Sequence, residues 1–214
     1  MKQALIAFTV VFTTMIWALE KGPEDLIGQK ANYKLDKNPK RTTSMLKDGT
    51  FLATITHYHP NAEGGPAMEV ALDYKFNVAM VGEQKGVENA LLDQAYFTPE
   101  FLEKLRKEGK YESENFKAIH KGYEDVKTLE GKIYAHTDII FLYDIRDSKN
   151  MTLHSDLASF LAAIVRAETK ADIEDMKVLM HVYPGVPVLS AVQIDVSGKY
   201  EGMSVKAGAD YQSH

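Results

Sequence analysis

"AMEVALDYKFNVAMV", residues 67–81, alternates apolar and polar side chains almost without a break. Side chains two apart in a strand lie on the same face of a sheet, so this period turns one set toward a core and the other toward water. The predicted inward set is Met68, Val70, Leu72, Tyr74, Phe76, Val78 and Met80. The segment therefore predicts a long, half-buried strand of an antiparallel sheet that keeps one face in solvent.

The segments on either side extend this strand into a meander. Upstream, "GTFLATITHYH" at 49–59 places Phe51, Ala53 and Ile55 on one face, and the turn-rich "PNAEGGP" that follows predicts a hairpin with 67–81. Downstream, we expect a second reversal at 82–86 and a shorter strand near 87–92. Three consecutive strands of one antiparallel sheet follow from this pattern.

Two helices are predicted in the chain. The first covers 98–109, where Pro99 stands at the first helical position and Gly109 at the stop. The second covers 155–167, where apolar residues recur at helical spacing behind Ser155 as a cap.

Strand character dominates the rest of the chain. Strands are expected at 139–145, 176–183, 187–197 and 199–211, with a turn at Ser197-Gly198. The predicted fold class is α+β: a large, mainly antiparallel, curved sheet of six to nine strands, meander-like or half-barrel-like, with the two helices packed on it. The layout is similar to the half-open barrels of exported lipid carriers, an analogy of architecture without a diagnostic motif.

The first residues have the pattern of a secretory signal. Lys2 is followed by an uncharged apolar run from Ala4 to Leu19, and charge returns at Glu20. The sequence therefore predicts a signal peptide over 1–18 and a single exported domain over 19–214, which is periplasmic or secreted. An uncleaved anchor is the alternative, although the run is shorter than the ~20 residues of a membrane-spanning helix. No span is expected in the mature chain.

The composition excludes several classes of protein. The chain has no cysteine, so disulfides, thiolate nucleophiles and zinc sites built on sulfur are absent. Its 25 Lys and Arg against 30 Asp and Glu give a net charge of −5, which argues against nucleic acid as a partner. The one basic stretch, 29–47, has no amphipathic period, and we interpret it as a solvated entry segment rather than a surface for anionic lipid.

The candidate metal ligands are His57 and His59. Residues two apart in a strand are about 6.6 Å apart on one face, which is close enough to share a metal ion. On the predicted strand they continue the apolar face of Ile55, so partly buried imidazoles with main-chain partners are an equal alternative. Further ligands would have to come from elsewhere, and the best distant candidates are His136 and Asp138.

Ser44 and Lys47 match the S-x-x-K pattern of exported serine–lysine enzymes. That chemistry needs a helix to hold the two residues together, but Asp48-Gly49 makes a turn directly afterwards and a strand follows. The other S-D-N and K-T-G elements are absent from the sequence. We therefore assign no catalytic residue and no cofactor.

The sequence favours an exported, non-enzymatic protein. It would enclose an apolar or lipid-like ligand, or act as an envelope accessory that binds another envelope protein. Two alternatives stay open: a metal-binding protein that uses His57 and His59, and a serine–lysine hydrolase that uses Ser44 and Lys47.

Overall fold

The computed structural model describes residues 22–62, 65–112, 117–142 and 173–213. The predicted signal peptide, 1–18, and the second predicted helix, 155–167, lie outside these residues. The described elements are the 3-10 helices Pro23–Leu26 and Gln94–Phe97, the helix α1 (Pro99–Glu108), and the strands β1 (Lys30–Leu35), β2 (Leu46–His59), β3 (Ala67–Val78), β4 (Gly82–Asp93), β5 (Lys110–Glu112), β6 (Lys117–Lys127), β7 (Ile133–Leu142), β8 (Ile173–Val182), β9 (Ala191–Tyr200) and β10 (Met203–Gln212).

The strands of the described residues form one antiparallel sheet of ten, in the order β4-β3-β2-β1-β10-β9-β8-β7-β6-β5. The sheet consists of two meanders, β1 to β4 and β5 to β10. They are joined where β1 pairs with β10, through Tyr33 opposite Tyr211 and Leu35 opposite Ala209. β1 and β10, the first and last of the described strands, are therefore neighbours in the middle of the sheet, and β4 and β5 are its edges among the described residues.

The connection between the two edges requires the sheet to curve. A flat sheet of ten strands would separate β4 from β5 by about 43 Å. The four-residue 3-10 helix and the ten-residue α1 that join them reach only about 23 Å together. Accordingly, Tyr96 in this connection donates to the carbonyl of Leu189, beyond β8. The pKa of Tyr111 in β5 is raised mainly by burial and also by the negative charge of Asp93. Asp93 is the last residue of β4, so this effect is consistent with the end of β4 lying near the other edge of the sheet.

The concave side of the sheet carries one continuous apolar core. As predicted, β3 turns Met68, Val70, Leu72, Phe76 and Val78 into it, and all five are buried. Burial of such side chains contributes about 1.5–3 kcal/mol each before conformational entropy is counted. The alternation ends at Val78, however, and Met80 lies 90% exposed in the turn to β4.

The helix α1 agrees closely with its prediction. Pro99 is its first residue, and Gly109 follows it at φ 73°, where the amide of Gly109 donates to the carbonyl of Leu105. Phe101 and Leu105 are buried against the concave side of the sheet. The described residues contain this one α-helix rather than the two expected, since 155–167 is outside them. They contain no helix long and apolar enough to span a membrane.

Several strand boundaries differ from the predictions, and β1 was not predicted. β4 begins at Gly82, because the reversal occurs over 79–81 instead of 82–86. β9 continues through Ser197 to Tyr200, and the turn lies at Glu201-Gly202, whose φ angles of 48° and 79° suit a tight hairpin. The basic stretch contains β1, which buries Ala31, Tyr33 and Leu35 and exposes the residues between them.

Candidate functional site

His57 and His59 lie at the end of β2, on the convex face of the sheet. Their ring centroids are 6.1 Å apart, so the two imidazoles do share a face. Both converge on Glu69 of β3: His59 Nε2 is 2.8 Å from Glu69 Oε2, and His57 Nδ1 is 3.7 Å from Glu69 Oε1. The hydroxyl of Thr56 donates to Glu69 Oε1 at 3.3 Å. The Glu69 carboxylate is the shared partner of the two rings in this geometry.

The expected continuation of the apolar face through His57 and His59 is wrong. The register between β2 and β3 shifts between Ile55 and His57, which pair with Val70 and Glu69 respectively. This β-bulge inserts one extra residue, and a one-residue shift moves every later side chain to the opposite face. Ile55 therefore points into the core, whereas the side chains of His57 and His59 are 70% and 42% exposed.

The hydrogen bond from His59 is the main reason that the pKa of Glu69 is lowered from its usual value. Thr56 and the charge of His57 act in the same direction, against the opposing effect of burial. In the described part of the chain, no group of three or more His, Asp and Glu side chains is arranged to hold a metal ion. The cluster is suited to holding a carboxylate in its ionised form.

The other candidates from the sequence are not brought together with this pair. Lys47 Nζ donates to the main-chain oxygen of Ser44 at 3.0 Å, and both residues are exposed at the start of β2 instead of on a helix. His136 is exposed and stacks on Tyr123 with ring centroids 4.0 Å apart. Asp138, two residues further along β7, is completely buried.

Asp138 is the centre of a buried ionic cluster that the sequence did not predict. It receives two hydrogen bonds from Arg106 of α1, at 2.8 and 2.6 Å, and His120 Nε2 lies 3.0 Å away. The Arg106 side chain is 31% exposed and that of His120 is 10% exposed. The hydrogen bond to Asp138 raises the pKa of Arg106. This cluster fixes α1 to β6 and β7 on the concave side.

A second ionic cluster lies on the convex face around Arg41, which belongs to the connection between β1 and β2. Arg41 Nη1 contacts Asp36 at 2.9 Å and Asp210 at 2.6 Å, and Nε contacts Asp195 at 2.7 Å. Burial raises the pKa of Asp195 despite the opposing charge of Arg41. Gly208 makes room for this contact, since a Cβ there would lie 2.6 Å from Asp195 Oδ1 and 2.9 Å from Arg41 Cβ.

The long edge strand β4 carries two of the exposed large apolar side chains of the described residues, Val87 and Leu91. Its convex-face side chains are hereafter called the edge row: Lys85, Val87, Asn89, Leu91 and Asp93. Their register partners on β3 include Asp73, opposite Val87, and Glu69, opposite Leu91. Val87 is 60% exposed and Leu91 is 37% exposed. In the described residues, β4 has a neighbouring strand on one side only.

The edge row was not predicted as a site. The available signal was the strand sequence "GEQKGVENALLD" itself, which places Val87 and Leu91 at the same parity as Lys85. Knowing that β4 is an edge also requires the strand order, which the sequence did not supply. Comparison with family models, curated proteins and solved structures finds no match to this chain.

Proposed function

We propose that this chain is an exported, non-enzymatic accessory protein of the cell envelope, and that it works by associating with a protein partner along the open edge of its sheet. The observation that carries the proposal is the edge row. An exposed strand edge offers unpaired main-chain donors and acceptors, and natural proteins ordinarily cover or shorten such edges. β4 is twelve residues long and contains no proline.

The contrast with the opposite edge supports this proposal. β5 has only three residues, and α1 precedes it directly. A short edge limits the length of any ladder that a partner can add. β4 presents four times that length, together with two exposed apolar side chains, Val87 and Leu91. Strand addition at an exposed edge draws affinity from main-chain hydrogen bonds and specificity from alternate side chains.

The polar clusters favour binding over catalysis. Asp138 is paired with Arg106 and His120, and Arg41 is paired with three aspartates. Such pairs hold elements together, and truncating one partner typically destabilises a fold. These carboxylates are thus committed to structural contacts in the described residues.

Site-specific photo-cross-linking in the host tests the proposal. A benzophenone amino acid placed at Asn89, in the edge row, is expected to yield covalent protein adducts. The same amino acid at Ile133, which is 66% exposed on another strand, serves as the matched control. Adducts that form equally from both positions, or from neither, would contradict an edge-mediated role.

Carriage of an apolar or lipid-like ligand is the second candidate function. It is favoured by the connection that covers the concave side, where Tyr96 contacts Met180 and where Met68, Met176 and Met180 are fully buried. Methionine side chains adapt readily to ligands of irregular shape. Native mass spectrometry of the protein purified from its host would show a retained lipid if this function is correct, and the bare chain mass if it is not.

A further inference from the structure

We propose that the partner of the edge row is a second copy of this chain, paired antiparallel through β4 about a two-fold axis at Asn89. This inference rests on the proposed edge-mediated function and names its partner. It commits to one register, in which Lys85 of each copy faces Asp93 of the other and Val87 of each copy faces Leu91 of the other.

The orientation of the main-chain N–H and C=O groups of β4 permits this register. The amide of Gln94 donates to the carbonyl of Pro66, just beyond the β3–β4 ladder, so residue 94 points toward β3. Successive residues of a strand direct their main-chain groups to alternate sides. Even-numbered residues of β4 therefore bond to β3, and the odd-numbered residues that carry the edge row direct their N–H and C=O groups to the open edge.

Because of this alternation, the residues of the edge row are the ones whose main-chain groups can hydrogen-bond to a partner strand. In an antiparallel pair about Asn89, the opposed residues 85 and 93, 87 and 91, and 89 and 89 all have main-chain groups that face the partner strand. Each such pair exchanges two hydrogen bonds, which gives about ten across the ladder. Asp93 is the last residue of β4, so the ladder ends at that position.

The side chains of the edge row are self-complementary in this register. Directly opposed side chains in an antiparallel pair have Cβ atoms about 4.5–5.5 Å apart. The cation of Lys85 would face the carboxylate of Asp93 twice, and the exposed Val87 and Leu91 would cover each other twice. Asn89 would meet its own copy, where one amide can donate to the other.

The charges of the row also specify this register. A shift of two residues that centres the axis on Val87 places Lys85 opposite Asn89 and Glu83 opposite Leu91, and both ion pairs are lost. The Asp93 carboxylate is held at the end of the row by the amide of Ala95, which donates to Asp93 Oδ1 at 2.8 Å. Isologous pairing of this kind produces a closed dimer with the two sheets continuous across the axis.

A charge-exchange experiment tests the register. In Lys85→Glu the two ion pairs become repulsive pairs of carboxylates, and in Asp93→Lys they become repulsive pairs of ammonium groups. Each variant alone is expected to dimerise about tenfold more weakly than the parent. An equimolar mixture restores both attractive pairs, and it should associate as strongly as the parent. Sedimentation velocity of the protein purified from its host, over a range of concentrations, measures the three cases.

The mixture also controls for folding, because only folded edges can restore association. Glu83→Lys is a matched control, since it reverses a charge on β4 that lies outside the proposed pairs. It should leave the dimer unchanged. A parent chain that stays monomeric up to hundreds of micromolar, or a mixture no stronger than its components, would overturn the self-pairing.

The cross-link at Asn89 separates this inference from the function on which it rests. An adduct of twice the chain mass supports the second copy as partner. Adducts made only with a different protein, together with a monomeric purified chain, would overturn the inference and leave the accessory function standing. No edge-specific adduct at all would overturn both.

Discussion

Replacement of Asp138 by asparagine removes one charge from the cluster that fastens α1 to the sheet, with almost no change of shape. The carboxylate is fully buried and receives two hydrogen bonds from Arg106 and a contact from His120. Asparagine keeps one oxygen acceptor, but its amide group presents donors where the second oxygen accepted. The guanidinium of Arg106 is then left without its counter-ion.

The expected loss follows from the burial of the two partners. Breaking a fully buried ion pair by removing one partner costs about 3–5 kcal/mol. Because 31% of the Arg106 side chain is exposed, water can replace part of what the carboxylate supplied. We therefore expect the free energy of unfolding to fall by about 2–3 kcal/mol. With a urea dependence of about 2 kcal/mol per molar, the midpoint should move down by ~1–1.5 M.

Urea unfolding at pH 7, followed by circular dichroism, measures this loss. Asp73→Asn is the matched control, since Asp73 is exposed on the convex face of β3, and it should change the free energy of unfolding by less than about 0.5 kcal/mol. The double variant with Arg106→Leu should cost at least 1 kcal/mol less than the two single losses together, roughly the coupling seen for residues in one network. A loss below about 1 kcal/mol, or additive single losses, would refute the role given to this ion pair.

Three further outcomes follow from the convex face. Gly208→Ala should destabilise the fold by about 1–3 kcal/mol, because the new Cβ would displace Arg41 and Asp195; an unchanged thermal midpoint would contradict that packing. Burial raises the pKa of Asp195, so the folded state holds that proton more tightly than the unfolded chain, and the free energy of unfolding of the parent should fall as the pH rises above about 4. In Asp195→Asn this fall should be absent. For Glu69→Gln the sign is opposite, because the His59 hydrogen bond lowers the pKa of Glu69. Above about pH 4.3 the ionised carboxylate should stabilise the parent over the variant by less than about 1 kcal/mol. This difference in the free energy of unfolding should vanish as the pH falls through the lowered pKa of Glu69 in the folded state. A pH-independent difference in urea titrations would contradict the last two assignments.

The local elements were predictable from the sequence where one rule acted alone. The alternation through Leu72 and Phe76 required one buried face, and the stop at Gly109 required a left-handed residue after a helix. β1 was overlooked because its alternating Ala31 and Tyr33 lie in a stretch read for its charge. The two-residue alternation of apolar and polar side chains was nevertheless present in that stretch.

The sites were less predictable because they depend on register and strand order. The bulge after Ile55 adds one residue to β2, and no residue type in that segment marks it. The contact between Arg106 and Asp138 joins a helix to a strand 32 residues away, and it exists only because the sheet curves beneath α1. The edge row likewise depends on β4 being last in the sheet, which is a property of all ten strands together.

The pairing of β1 with β10 has a consequence for how the chain acquires its structure. Within the described sheet the two meanders are hydrogen-bonded to each other through β1 and β10, and this pairing joins residues such as Leu35 and Ala209, which are far apart in the sequence. Contacts of such high sequence separation slow folding, because the entropy of closing the loop is lost before the contacts form. The sheet therefore cannot be completed until β10 has been synthesised and can pair with β1. Until then β1 has only one of its two strand neighbours, so the first meander keeps an additional open edge during synthesis.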